Sequence, residues 1–119
     1  MNDHSALVEK RFDKHPEAVL LRMNRPEKRN ALTSEDIGRL CDRLAALQHD
    51  ADTRVIIITG TGSAFTGGQD INDINSLSGP ALAALFERDI DMLTRIVSMP
   101  KVVITAEIDP LRTEGEQLA

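Results

Sequence analysis

The sequence has 119 residues, which is one domain at most and long enough for a real hydrophobic core. Hydrophobic residues make up 41%, charged residues 28%, and the net charge is −5, which argues against a broadly basic nucleic-acid binder; no apolar run approaches a membrane span. The single cysteine, Cys41, excludes an internal disulfide framework, and the N-terminus MNDHSALVEK has no signal-peptide core, so the default location is cytoplasmic.

Residues 6–12 (ALVEKRF) and 18–24 (AVLLRMN) read as two short strands. The polar stretch 13–17 (DKHPE), centred on Pro16, predicts a hairpin turn between them. A charged loop, residues 24–30 (NRPEKRN), follows, and Pro26 biases Arg25 away from helix. Residues 33–50 are the clearest helix. Ile37, Leu40, Cys41, Leu44 and Leu47 recur at three- and four-residue spacing as one apolar stripe. Thr33 or Ser34 suits the N-cap, and Glu35 and Asp36 suit the positive end of the dipole. Gly38 weakens this helix by about 1 kcal/mol relative to alanine. Cys41 lies on the stripe and reads as a small core residue, with no histidine paired to it in any motif.

The turn 49–54 leads into Val55-Ile-Ile-Ile58, four consecutive β-branched residues. Such a run predicts a fully buried strand, as in a parallel sheet covered on both faces. Gly60, Gly62, Gly67 and Gly68 then fall close together with Phe65 among them, and the run ends in Asp70 and Ile71. Residues 72–79 (NDINSLSG) read as turn. A second helix follows, with Pro80 in its first turn and Leu82, Leu85, Phe86, Ile90, Leu93 and Val97 as its apolar face. Pro100 ends it, and Lys101–Thr105 (KVVIT) reads as another buried strand. The order strand, strand, helix, strand, loop, helix, strand predicts an α/β fold with a largely parallel sheet. Residues 107–119 are polar, with a helical turn or two possible over 112–119.

A buried strand ending in a glycine-rich loop is where open α/β folds place ligands. A dinucleotide fingerprint fails on spacing, because Phe65 stands where its third glycine belongs. A phosphate P-loop fails too, because Gly68 and Gln69 replace its Lys and Ser/Thr. The plainer reading is a tight turn and nothing more; four glycines, a phenylalanine and a terminal aspartate in one loop weigh against it. Asp70 and Asp73 lack a histidine or third ligand for a metal, and Asp70 reads as fixing the loop by accepting backbone hydrogen bonds. His4, His15 and His49 sit in polar, turn-like contexts and read as solvated. Arg25, Lys28 and Arg29 form a basic cluster between a strand and a helix, either a solvated loop or an anion site. The chain has no Trp or Tyr to stack on nucleic-acid bases.

Three segments in order carry a specific resemblance: Asn24-Arg-Pro-Glu-Lys-Arg-Asn-Ala-Leu32, then Val55–Gly60 with Ala64-Phe-Thr-Gly-Gly-Gln-Asp-Ile71, then Met99-Pro-Lys-Val-Val-Ile-Thr-Ala106. Together they resemble the crotonase family, also called the enoyl-CoA hydratase/isomerase family, over nearly all of residues 6–106. The resemblance implies a spiral of strand–strand–helix turns, acyl-CoA thioester substrates, and trimer-based homo-oligomers. Coenzyme A then enters as part of the substrate, with no permanently bound cofactor; no metal, and neither nucleic acid nor membrane as partner, is expected from the ligand spacing, charge balance and hydropathy above. The shared chemistry is stabilisation of a thioester enolate by two backbone N–H groups. Gln69 matches the residue whose N–H is one of them. Lys28, Arg29 and Ala31 match the loop along the CoA nucleotide, and Thr66, Gly67, Gly68, Gln69, Asp70 and Ile71 match the lining of the pantetheine and thioester end.

The resemblance fades after about Ala106. Placed without gaps, Ile108-Asp109-Pro110 stands where the family shows an Asn-Gly turn, and Thr113-Glu114-Gly115 where it shows three glycines. The middle of those glycines implies the second oxyanion donor. Gln117 stands at the first catalytic glutamate, and the second falls past the last residue. The expectation is a CoA-binding portion over residues 1–106 and a divergent polar tail over 107–119, from a family protein truncated or divergent there and weakly active or inactive as this chain. Glu107, Glu114 and Glu116 are alternative acid/base groups. A second expectation is a non-catalytic CoA-binding or assembly module that associates through uncovered sheet edges and helix faces.

Overall fold

The computed structural model describes residues 6–106. Strands β1 (Leu7–Phe12), β2 (His15–Met23), β3 (Val55–Gly60) and β4 (Val102–Ala106) form one sheet in the order β1-β2-β3-β4. β1 and β2 are an antiparallel hairpin, whereas β2, β3 and β4 run parallel. Helix α1 (Ser34–Gln48) connects β2 to β3. The short α2 (Ile71–Ser76) and the long α3 (Gly79–Ser98) connect β3 to β4.

The hairpin turn is tighter than the sequence predicts. Phe12 pairs with His15, so only Asp13 and Lys14 form the turn, and Pro16 lies inside β2. A proline is tolerated there because β2 begins pairing with β3 only at Ala18, so no ladder bond is lost on that side. His15 is exposed, with Glu17 at 3.5 Å. The stretch 72–79, expected as turn, instead contributes most of α2 and the start of α3, and the Asp70 side chain starts α2 by accepting from the Asp73 N–H.

Alternation along the parallel strands decides what is buried. Val19, Leu21, Met23, Ile56 and Ile58 point to one face, where they pack with Leu40, Leu44 and Leu47 of α1 and with Met99. Met92 and Ile96 of α3 and Val103 of β4 join this core from its edge. A second cluster, Ile37 and Cys41 against Leu85, joins α1 to α3. Cys41 is thus a core residue; burial pushes its thiol up, and its Sγ donates to the Arg88 carbonyl at 3.2 Å. Gly38 has a packing role. A Cβ there would sit 3.3 Å from Nη1 of Arg88, which reaches across from α3.

Two burial expectations are corrected. Among the described residues, helices cover one face of the sheet, so Val55 and Ile57 are half-buried, and β4 exposes Val102 and Ile104. A continuous apolar run fits a strand buried on both faces, but the second face has no covering element among the described residues. The apolar positions of α3 also split. Leu82 and Leu85 pack inward, whereas Phe86, Ile90, Leu93 and Val97 are 50–85% exposed. They lie one helical step around from the packed stripe.

Candidate functional site

The site is built from two loops that leave the same end of the parallel strands: residues 24–32 after β2, and residues 61–70 after β3. In the first loop, Pro26–Lys28 form one turn of 3-10 helix, and Arg29 closes it by donating its N–H to the Pro26 carbonyl. Arg29 and Asn30 both adopt left-handed conformations, with φ of 53° and 57°. Asparagine tolerates this region better than most residues. Arg25 does not serve as a free cation. Its Nη1 lies 2.8 Å from Oδ2 of Asp36, whose side chain is 6% exposed. Asp36 also completes a capping box with Thr33, so one carboxylate holds both the loop and the start of α1.

Asn30 joins the two loops. Its side chain is fully buried, accepts from the Arg25 N–H, and donates to the carbonyls of Thr61 (2.9 Å) and Ala64 (2.8 Å). Gly60 makes room for this crossing. A Cβ on Gly60 would lie 2.2 Å from the Phe65 carbonyl oxygen and 2.7 Å from Nδ2 of Asn30. This close approach is what the glycine after the β-branched run provides.

Further along, the glycine loop lies against the first loop as a short piece of parallel pairing. The Gly67 N–H donates to Arg29 O (2.7 Å), the Leu32 N–H to Gly68 O (2.8 Å), and the Asp70 N–H to Leu32 O (2.8 Å). The Thr66 hydroxyl donates to Asn30 O and accepts from the Gly68 N–H. Gly68 has φ of +90°, a conformation that favours glycine, with open space beside it. In such a bridge the central residue turns its own N–H away from the partner strand. Gln69 is that residue, and among the described residues no acceptor takes its N–H. Its side chain does have a partner, because Nε2 donates to Oδ2 of Asp89 on α3. Burial pushes the Asp89 carboxyl up from its ordinary value, and the Gln69 hydrogen bond offsets part of that.

The remaining predicted residues fall around this bridge. Lys28 and Arg29 are exposed, with no ion pair among the described residues, and Ala31 lies between them and Leu32, half-buried. Asp70 caps α2, and Asp73 accepts from the Ser34 N–H at 2.8 Å, tying α2 to the start of α1. Ile71 is 72% exposed beside the loop. A cleft of about 620 Å³ lies at the opposite end of the strands, lined in part by Thr53, Val55, Met99 and Lys101. The Lys101 ammonium there is taken by the carbonyls of Asp50 and Thr53. His4, Glu107, Thr113-Glu114-Gly115, Glu116 and Gln117 lie outside the described residues.

The sequence model of the enoyl-CoA hydratase/isomerase family matches residues 14–108, which contain both loops and all of β2–β4. The chain belongs to the enoyl-CoA hydratase/isomerase family. It is 38% identical over 92 residues to a 1,2-epoxyphenylacetyl-CoA isomerase of Escherichia coli, covering 74% of this chain and 35% of that protein. It is 40% identical over 90 residues to a probable enoyl-CoA hydratase of Bacillus subtilis, covering 75% and 34%. An enoyl-CoA hydratase structure from Mycobacterium smegmatis superposes with a TM-score of 0.77 at 27% identity, over 86% of this chain and 39% of that one. An enoyl-CoA hydratase/isomerase from Xanthobacter autotrophicus gives 0.75 at 28%, over 87% and 39%. The observed α/β architecture is therefore a crotonase-like one. The chain spans about a third to two fifths of the length of these relatives.

Two residues of this site give no clear signal in the sequence. Asn30 stands inside the quoted motif, but its role as the pin between loops depends on a left-handed backbone that composition does not show. Asp89 sits among charged residues of α3, and only the fold brings it to Gln69.

Proposed function

We propose that this chain binds acyl-CoA thioesters and donates the Gln69 N–H to the thioester oxygen. The observation that carries this reading is that N–H: it points away from Leu32, has no acceptor among the described residues, and sits beside the anchored amides of Gly67, Gly68 and Asp70. A backbone donor fixed in this way needs no reorganisation as negative charge develops on oxygen, and one such donor is typically worth about 2.7–4 kcal/mol in the transition state. The exposed Lys28 and Arg29 supply positive charge for the CoA phosphates, with Ala31 beside them. Residues 66–71 line the pantetheine and thioester end. The reaction class is hydration, a lyase reaction, or double-bond isomerisation of an acyl-CoA in fatty-acid metabolism. Coenzyme A enters as part of the substrate.

Within this reading, residues 1–106 are the CoA-binding portion and 107–119 a divergent tail, in a cytoplasmic, trimer-based homo-oligomer. Thr113-Glu114-Gly115 and Gln117, in place of the second donor and the first catalytic glutamate, support weak or absent turnover. Calorimetric titration with CoA and crotonyl-CoA tests binding, and a hydration assay tests turnover. Binding of crotonyl-CoA without family-rate hydration is the expected result; failure to bind either ligand would sink the reading.

A second reading, a non-catalytic assembly module, is favoured by the exposed apolar residues of α3 and β4. It predicts self-association in light scattering irrespective of CoA.

A further inference from the structure

We propose that Asp89 is a positioning residue for the glycine loop: it holds the Gln69 side chain from α3 and thereby fixes the direction of the Gln69 N–H. The inference rests on the acyl-CoA reading for its chemical consequence, and on geometry alone for the clamp itself.

Gly67 and Gly68 precede Gln69 directly, and Gly68 adopts a positive φ with nothing within 4 Å of where its side chain would be. Such a pair gives the loop little stiffness of its own. On one side it is held by Leu32 through Gly68 O and the Asp70 N–H. On the other it is held by the bond from Gln69 Nε2 to Asp89 Oδ2. The acceptor is a half-buried carboxylate, and charged acceptors make stronger bonds than neutral ones. Asp89 has no ion pair among the described residues, while its neighbour Arg88 is engaged with Gly38 O and Asp42 across α1. α3 is itself packed on α1 through Leu85 against Ile37 and Cys41. The loop therefore has two anchors on opposite sides, and the side chain of Gln69 acts on its own backbone donor.

The test compares wild type, Asp89→Ala and Asp89→Asn as the full chain. Asparagine keeps an acceptor oxygen for Gln69, and alanine removes it. The clamp is read by amide hydrogen exchange at Leu32, Gly67 and Asp70, whose N–H groups are bonded across the loop. Asp89→Ala is expected to speed their exchange about tenfold or more while amides inside α1 hold, and Asp89→Asn to restore most of the protection. Unchanged exchange at these three amides in Asp89→Ala overturns the proposal, as does equal acceleration throughout α1. The consequence is read with acetoacetyl-CoA, whose enolate absorbs in the near ultraviolet. Asp89→Ala should lose roughly tenfold of the bound enolate signal with CoA affinity held within about twofold, and Asp89→Asn should recover it. Loss of CoA affinity to the same extent would also count against positioning. If wild type binds neither ligand, the acyl-CoA reading falls and the exchange result alone decides the clamp.

Discussion

The buried amide of Asn30 donates to the Ala64 carbonyl at 2.8 Å across 34 residues of sequence, and this bond sets the spacing of the loops after β2 and β3. The same nitrogen reaches Thr61 O, and the same residue holds a left-handed backbone. Asn30→Ala removes both donors, leaves two carbonyls without them, and places a Cβ residue of poorer tolerance at φ of 57°. The expected cost is about 2–4 kcal/mol. Gly60→Ala should be as harmful or worse, because backbone oxygens of Ala64 and Phe65 occupy the space its methyl needs. Urea denaturation of both variants checks this; a change under 1 kcal/mol in either would refute the account of the crossing.

The three basic residues of the first loop divide by role. Arg25 is tied to Asp36, whereas Lys28 and Arg29 face solvent. Arg25→Ala should cost about 2–4 kcal/mol of stability, since it leaves a carboxylate with a 6% exposed side chain without its cation. Lys28→Ala and Arg29→Ala should leave the melting temperature within error. Each should instead weaken CoA binding a few-fold, with the difference shrinking as salt is raised. Thermal melts beside calorimetry at two ionic strengths separate the two outcomes.

Asp89 predicts a pH dependence with a definite sign. Burial raises its carboxyl in the folded chain, so in the window between the unfolded and folded values the native state holds more protons. Stability from this group is fully present below the unfolded value and is lost as pH rises through the folded one. Asp89→Asn, which cannot ionise, should gain stability over wild type at neutral pH, and the gain should vanish in acid. Paired denaturation curves across pH 3–7, an interval spanning the ordinary aspartate range, provide the measurement. A constant difference at every pH would contradict the assignment.

Self-association has its own probe. Val97 is 85% exposed on the outer stripe of α3, so Val97→Glu should leave the fold intact, with a change within about 0.5 kcal/mol. If that stripe joins copies of the chain, the same substitution should shift light scattering toward monomer. Identical association before and after the substitution would move the contact away from α3.

Much of this fold is legible in the sequence because it depends on periodicity. The α1 stripe from Ile37 to Leu47, the β-branched run of β3 and the Pro100 stop correspond to the observed elements. What periodicity cannot show is which apolar surface finds a partner. Val102, Ile104 and the outer residues of α3 are as apolar as core residues, and only the layering leaves them open. The turn at Asp13–Lys14 was obscured by Pro16, whose position in β2 depends on where the neighbouring strand begins. At the site, the two motif loops lie against each other, with Arg29–Leu32 along Gly67–Asp70. The Gln69 side chain has a partner because α3 passes beside the loop, a contact no motif shows.

The short parallel pairing of Leu32 with Gln69 has a consequence for the order in which the molecule assembles. Its bonds are non-local, and each requires β2, α1 and β3 to have docked first, since those elements bring the two loops to one end of the sheet. Closing such contacts costs chain entropy before it returns any stabilisation. The glycine loop is thus expected to be the last part of the chain to order and the first to open, well below the free energy of global unfolding. A ligand seated on that loop would act as a kinetic latch on the whole crossing. It would slow proteolysis around Ser63 while leaving cleavage elsewhere at the same rate.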